Sequence, residues 1–467
     1  MICGTLLLGA SQAYAEVGCA PNPNLNGVDS CPPPASVVNQ GGPAGWIDAI
    51  KYGVTCDSTD STAAMQAALN AANSAKGGIV SFNCPITVAG SVTIPSNVRL
   101  FGVGSSYYQG QNSGINLWPP ATSPAINCTN TSAPCIIVNG QGIEIDHINF
   151  GNPQPAPPTS GTWAPTVYPF VIATTGTSGW QGLYLHDLTF TSTSNAIDLE
   201  GTQDYAAYSG SQIKIKDIWC NACLNTGIRF HRIDNPLLVD HVEFTPSWNF
   251  SVASMGAYQR ANLIGFDMSY VAAPQFSNIN FFSTKSAIQV TNSTVTNNFG
   301  TLTFATSAAQ FSNVMFNQVC QAMTMPGGNG TIAEFYMTNV HVWGDQSGFA
   351  CAAGKPIFSV PSNDVRLNLA QIGVAYIDSF IAAGCGTRCT PGGGAIIRLQ
   401  GIDVFEYSHF SANQPFMSAP SGSFVSISGQ DLPSIRPSAK AGPIIAPGPD
   451  RTRASMASSN SAAGRTR

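Results

Sequence analysis

One six-residue pattern returns along the middle of the chain: apolar, any residue, then Asp, Asn or His, apolar, any residue, apolar. It occurs as Ile145-Asp146-His147-Ile148-Asn149-Phe150, Leu185-His186-Asp187-Leu188-Thr189-Phe190, Ile215-Lys216-Asp217-Ile218-Trp219-Cys220 and Val239-Asp240-His241-Val242-Glu243-Phe244. Phe276-Ser277-Asn278-Ile279-Asn280-Phe281, Phe311-Ser312-Asn313-Val314-Met315-Phe316 and Met337-Thr338-Asn339-Val340-His341-Val342 continue it. At its third position the spacings are 187 − 147 = 40, then 30, 24, 37, 35 and 26 residues. Such periods are irregular but fit solenoid coils, so they predict a repeat architecture.

A second pattern follows within most coils, a small residue and then a short alternating run. Examples are Asn195-Ala196-Ile197-Asp198-Leu199-Glu200-Gly201, Thr226-Gly227-Ile228-Arg229-Phe230-His231, Ser286-Ala287-Ile288-Gln289-Val290 and Gly394-Ala395-Ile396-Ile397-Arg398-Leu399. Alternation predicts strands with one buried face. The Asp or Asn between two strand pieces suits a sharp bend, because these residues tolerate the left-handed conformation. Each coil then reads as strand, tight bend, strand, longer loop and strand. Stacked coils pair equivalent strands in parallel and bury a continuous core. The predicted fold class is all-β, a single-stranded right-handed parallel β-helix.

One helix stands apart from this pattern. Asp60 or Ser61 can cap a small-residue helix running through Ala75, which Gly77-Gly78 stops before the strand Ile79-Val80-Ser81-Phe82. A solenoid end exposes an apolar coil that must be covered, so this helix is expected to be a lid.

The same region resembles the start of pectate-lyase-superfamily β-helices. The resemblance rests on Ile47-Asp48-Ala49-Ile50-Lys51-Tyr52-Gly53-Val54-Thr55, then Asp57-Ser58-Thr59-Asp60-Ser61-Thr62-Ala63-Ala64-Met65-Gln66-Ala67-Ala68-Leu69. Gly77-Gly78-Ile79-Val80 and Ile94-Pro95-Ser96-Asn97-Val98-Arg99-Leu100-Phe101-Gly102-Val103-Gly104 extend it. Thr55-Cys56-Asp57 departs from the Gly-Asp-Gly turn usual there. The resemblance is specific over about residues 45–105 and looser in the coils to about 430. It implies carbohydrate chemistry of the lyase, hydrolase, epimerase or tailspike kinds, and the fold does not choose among them. It also implies a site on the outward face of the strands that follow the long loops.

The ends and the cysteines suggest export. Leu6-Leu7-Leu8 followed by Ala13-Tyr14-Ala15 reads as a secretory signal over residues 1–15, without a basic leading region. Residues 16–44 are expected to form an extension, 45–432 the β-helix, and 433–467 a disordered tail rich in Pro, Ala, Ser and Arg. Without Cys3 the chain keeps 13 − 1 = 12 cysteines, an even number. They fall into close neighbours, expected as disulfides: Cys19/Cys31, Cys56/Cys84, Cys128/Cys135, Cys220/Cys223, Cys320/Cys351 and Cys385/Cys389. Cys220-Asn-Ala-Cys223 has redox or zinc spacing, but no second such pair accompanies it. The expected location is secreted, extracellular or periplasmic.

Composition narrows the partners. Charged residues are 9% of the 467, against roughly 25% in ordinary soluble domains. A net charge of −5 offers no basic field for nucleic acid. No later apolar run is long enough to span a membrane, and no trimerisation segment is recognisable. The remaining partner is a polysaccharide, cleaved by hydrolysis or β-elimination, or simply bound by a non-catalytic, adhesin-like β-helix.

Stacking the alternating strands predicts columns. Ile197, Ile228 and Ile264 would align inward, as would Leu199, Phe230 and Phe266. Glu200, His231 and Asp267 would then form an outward catalytic column, with Asp198 beside Arg229. Strands about 4.8 Å apart would place its two acids about 10 Å apart, nearer an inverting hydrolase than a retaining one. A calcium-dependent lyase would instead need an acid cluster for Ca2+ and Arg229 as base; no metal site is otherwise expected. The Asn-Thr-Asp, Asp-Asp, Gly-His-Gly and Arg-Ile-Lys motifs expected of polygalacturonases are absent. Trp163, Trp180 and Trp248, in long loops, are candidate sugar-stacking platforms, with Arg232 a further substrate contact. A second outward column, Asp146, His186, Lys216 and Asp240, lies beside the bend and reads as structural.

Overall fold

The computed structural model describes residues 45–104, 124–175, 180–201, 210–234, 236–246, 253–297, 300–304, 306–325, 333–344, 355–360, 365–375, 377, 379–383, 395–406, 417–418, 424–428 and 445–446. Among these, two long sheets dominate, of sixteen and twelve strands, both paired in parallel. From Gln181 on, most described coils give a strand to the first sheet and a usually shorter one to the second. The all-β right-handed parallel β-helix read from the periodicity is the fold of the chain.

The bends sit where the pattern places them. His147, Asp187, Asp217, His241, Asn278, Asn313 and Asn339 all have φ between 51° and 57°. Each folds its strand of the first sheet into two faces, so that Leu185 and Leu188, or Val239 and Val242, both point inward. The bend side chains are bonded to one another from coil to coil. Asn339 donates to Asn313 at 2.7 Å, Asn313 to Asn278 at 3.0 Å, and Asn278 to Asp240 at 2.7 Å. Inside, equivalent rings stack: Phe276 on Phe311 at 4.4 Å, and Phe244, Phe281 and Phe316 at 5.2 and 5.5 Å.

The helix Thr62–Ser74 buries Met65, Ala68, Leu69 and Ala72 at one end of this core, as a lid should. Its cap is made by Asp60, whose Oδ1 accepts from the Thr62 and Ala89 backbone N–H groups at 3.0 and 2.9 Å. Ser61 occupies the capping position without a side-chain bond to the helix; its Oγ accepts instead from the Thr55 backbone N–H at 3.1 Å. A strand before the helix, Gly45–Asp48, pairs with Gly78–Phe82.

Three of the expected disulfides are present: Cys56–Cys84, Cys128–Cys135 and Cys220–Cys223. Cys320 is also disulfide-bonded; Cys19, Cys31, Cys351, Cys385 and Cys389 lie outside the described residues, as does the expected signal segment. Two expectations need correction. Ile396–Glu406 belongs to the first sheet, paired with Val365–Ala375, and not to the short-strand sheet. Ile445–Ala446, inside the expected tail, pairs with Met417–Ser418.

Candidate functional site

The second sheet brings the expected residues together, in a different register. Asn195–Glu200 pairs with Thr226–Ile233 so that Asp198 faces Arg229 and Glu200 faces His231. The next strand, Ile264–Val271, places Asp267 opposite Arg229 and Ser269 opposite His231. Asp267 therefore belongs to the column Asp198, Arg229, Asp267, Gln289, and not to that of Glu200 and His231. The inward columns shift likewise: Ile228 faces Phe266, and Phe230 faces Met268. The strand starts two residues earlier relative to its neighbour than the stacking predicted.

The side chains still converge. Arg229 donates from Nε to Asp198 Oδ1 at 2.6 Å and makes a second bond to Asp198 Oδ2. Its terminal nitrogen lies 3.8 Å from Glu200 Oε2. Arg232 donates to Glu200 Oε1 and, from Nε, to the Gly201 carbonyl at 3.1 Å. His231 Nε2 stands 3.6 Å from Asp267 Oδ2. Asp267 Oδ1 and His231 Nε2 are both buried and have no hydrogen-bond partner among the described residues. The guanidinium of Arg229 lies 4.7 Å over the Phe170 ring.

Burial pushes the Asp198 carboxyl up, against the opposing hydrogen bond and charge of Arg229. For Arg229 burial acts to lower the pKa, but the Asp198 hydrogen bond and the charges of Asp198, Glu200 and Asp267 outweigh it and raise it. The guanidinium is therefore a fixed positive charge.

The backbone at this site is tightly specified. Glu200 exchanges both main-chain bonds with the Thr174 hydroxyl, and Trp180 Nε1 donates to its carbonyl at 2.9 Å. Arg232 adopts φ 55°, which turns its side chain back toward Glu200. A Cβ on Gly201 would come within 1.9 Å of the Arg232 carbonyl oxygen, so only glycine fits there.

Two of the expected stacking platforms are buried rings. Trp163 is 3% exposed and donates to the Pro155 carbonyl; Trp180 is 1% exposed and supports Glu200. A buried ring offers no face to a sugar. Trp248 lies outside the described residues. The loops that carry these rings do have a positioning role. Trp163 packs edge-on against Tyr258 at 5.7 Å, and Ser254 donates to the Pro158 carbonyl at 2.6 Å. The loop before Phe170–Thr174 and the helix Ala253–Asn262 thus lock together where they lead into the second sheet. Gln259 and Tyr258 bond Cys223 and Asn225, at the turn leading into Thr226–Ile233.

The second expected column is also real: Asp146, His186, Lys216 and Asp240 are register partners in the first sheet. Arg99 and Glu144, register partners in the neighbouring outward column, reach it with their side chains, and sequence reasoning had not singled them out. Arg99 is bidentate to the fully buried Asp146.

No family model and no curated protein sequence matches the chain. Solved structures do resemble it. The DFA-IIIase from Arthrobacter chlorophenolicus A6 in complex with GF2 is 10% identical, with a TM-score of 0.55 over 82% of this chain and 93% of that one. The Agl-KA catalytic domain is 14% identical, with a TM-score of 0.50 over 82% of this chain and 68% of that one. An Acinetobacter phage tailspike is 8% identical, with a TM-score of 0.50 over 90% and 67%. The likeness is one of fold: the chain is a right-handed parallel β-helix.

Proposed function

We propose that the protein is an exported enzyme that hydrolyses an extracellular polysaccharide at the acid and histidine cluster of the second sheet. The observation that carries this reading is the convergence of three carboxylates, two guanidiniums and an imidazole from three adjacent strands, beside two interlocked loops. A partly buried charge cluster is weak evidence of a stabilising role, because desolvation offsets the attraction within its pairs.

The roles follow from what each group has left to offer. Asp267 and His231 keep unpartnered atoms and are the proton-transfer pair. Glu200, oriented by Arg232, is the second carboxylate. Asp198 spends both oxygens on Arg229 and positions it. Arg229 supplies fixed positive charge toward an anionic sugar or a departing oxygen. Arg232, paired to Glu200 and only 11% exposed, acts by orienting that acid as much as by touching substrate.

β-Elimination fits less well. An Arg229 held charged by its acidic neighbours is a poor base. Calcium fits poorly too: it takes about six to eight oxygen ligands, and here an imidazole and two guanidiniums stand among three carboxylates. Two similar structures, a DFA-IIIase and a catalytic domain, are enzymes by name and support a catalytic reading of this scaffold. The disulfides fit an oxidising compartment, and among the described residues no helix is long and apolar enough to cross a membrane.

A second reading, a non-catalytic glycan-binding β-helix, is favoured by one observation: Asp198 and Arg229 already satisfy each other. A screen against acidic and neutral polysaccharides separates the two. Hydrolysis gives new reducing ends without the ultraviolet absorbance of unsaturated uronate. Binding to a glycan with no bond cleaved would support the second reading and refute the first.

A further inference from the structure

We propose that the outward face of the first sheet holds a site for one divalent ion of the zinc class, formed by Glu144, Asp146, His147 and His186. The site is built by register. Ile143–Asp146 pairs with Gln181–Thr191 so that Glu144 faces Tyr184 and Asp146 faces His186. The bends then bring His147 and Asp187 beside them, both in the left-handed conformation.

The donor atoms crowd one spot. His147 Nδ1 is 2.7 Å from Asp146 Oδ2, and His186 Nε2 is 3.0 Å from Glu144 Oε1 and 4.0 Å from Asp146 Oδ2. One donor each from Asp146, His147 and His186 lies within 4.8 Å of the others. Four ligands around zinc, at bonds of about 2.0–2.1 Å, stand about 3.3 Å apart in a tetrahedron. Asp146, His147 and His186 span that value, and Glu144, 3.0 Å from His186, must turn toward the other two to complete the tetrahedron.

The surroundings match those of a metal-binding histidine. The other nitrogen of His186, Nδ1, is 2.7 Å from Asp187 Oδ2, the carboxylate partner that fixes a ligating ring. Tyr184 stacks on the same ring at 4.1 Å, holding its plane. Arg99 binds both oxygens of Asp146 and lies 3.3 Å from Glu144, anchoring the two acids. The carboxylates of Glu144, Asp146 and Asp187 outnumber the Arg99 guanidinium by two, which favours a divalent cation. Lys216, next in the column, is 3.4 Å from Asp217 and engaged there. Two imidazoles with two carboxylates select a transition ion, whereas magnesium and calcium prefer oxygen alone. The side chains of His147 and Glu144 are 37% and 32% exposed, so an ion can reach them.

The test uses the full chain, stripped with a chelator and titrated with zinc chloride alone. One zinc per chain is expected at micromolar free zinc. Asp187→Asn, which leaves all four ligands in place, should weaken binding about 10–100-fold. His147→Gln combined with His186→Gln should abolish it. No uptake by the wild type, or undiminished uptake by the double variant, overturns the proposal. If the double variant does not fold, cobalt in the wild type decides: a tetrahedral visible spectrum supports the site, and an octahedral one or none overturns it. None of these readouts depends on the polysaccharide chemistry of the other sheet.

Discussion

His231 Nε2 faces Asp267 Oδ2 at 3.6 Å across adjacent strands, and neither that nitrogen nor Asp267 Oδ1 has a hydrogen-bond partner among the described residues. A buried polar atom left without a partner costs about 1–3 kcal/mol. Such a cost, kept at a cluster of charged groups, is what a site awaiting a ligand or a reacting proton shows. Asp267→Asn should therefore lower kcat about 10²–10⁴-fold while leaving the thermal midpoint unchanged or higher. A large fall in the midpoint would instead mark Asp267 as structural.

Asp198 is the buried half of a bidentate pair, with its side chain 8% exposed against 28% for Arg229. Asp198→Asn removes the charge that holds Arg229 and should cost about 1.5–3 kcal/mol. Urea unfolding monitored by circular dichroism measures it. Activity should fall as well, through the displaced guanidinium.

Asp240 heads the ladder of bend asparagines. Hydrogen bonds from Ser277, assisted by Asn278 and opposed by partial burial, hold its carboxyl below its ordinary 3.8. A depressed folded pKa means stability that is present above pH 3.8 and lost as pH falls through the lower, folded value. The stability difference between wild type and Asp240→Asn should thus be larger near neutral pH than in acid below that value. An equal difference at both would contradict the assignment.

The Cys56–Cys84 bridge closes a loop with a sequence separation of 28 beside the helical lid. Loop-entropy arguments put its contribution at about 3–4 kcal/mol. Cys56→Ala with Cys84→Ala should lower unfolding stability by that order, measured by urea unfolding under oxidising conditions that keep the other bridges. A change near zero would show that the lid is held by packing alone.

The fold was legible because its signals are local. Asp, Asn and His at the bends announce a left-handed residue, and the alternation around Ile197 and Ile228 announces an inward face. The register at Asp267 was not legible, for a physical reason. A slip of one residue would turn Asp267 inward and be rejected at once, whereas a slip of two keeps every side chain on its face. The helical insertion Ala253–Asn262 hides where the strand begins. The burial of Trp163 and Trp180 was not legible because position in a long loop says nothing of what the loop packs on, here Tyr258 and the Glu200 backbone. Glu144 and Arg99 were missed because strand register, not a motif, brings Glu144 to His186 and Arg99 to Asp146.

The most direct test compares wild type with Asp267→Asn on a panel of acidic and neutral polysaccharides, with circular dichroism matched between the two. The account predicts new reducing ends, no unsaturated-uronate absorbance, and their loss in the variant. Cleavage that survives the substitution undiminished, or that produces the absorbance, would contradict it.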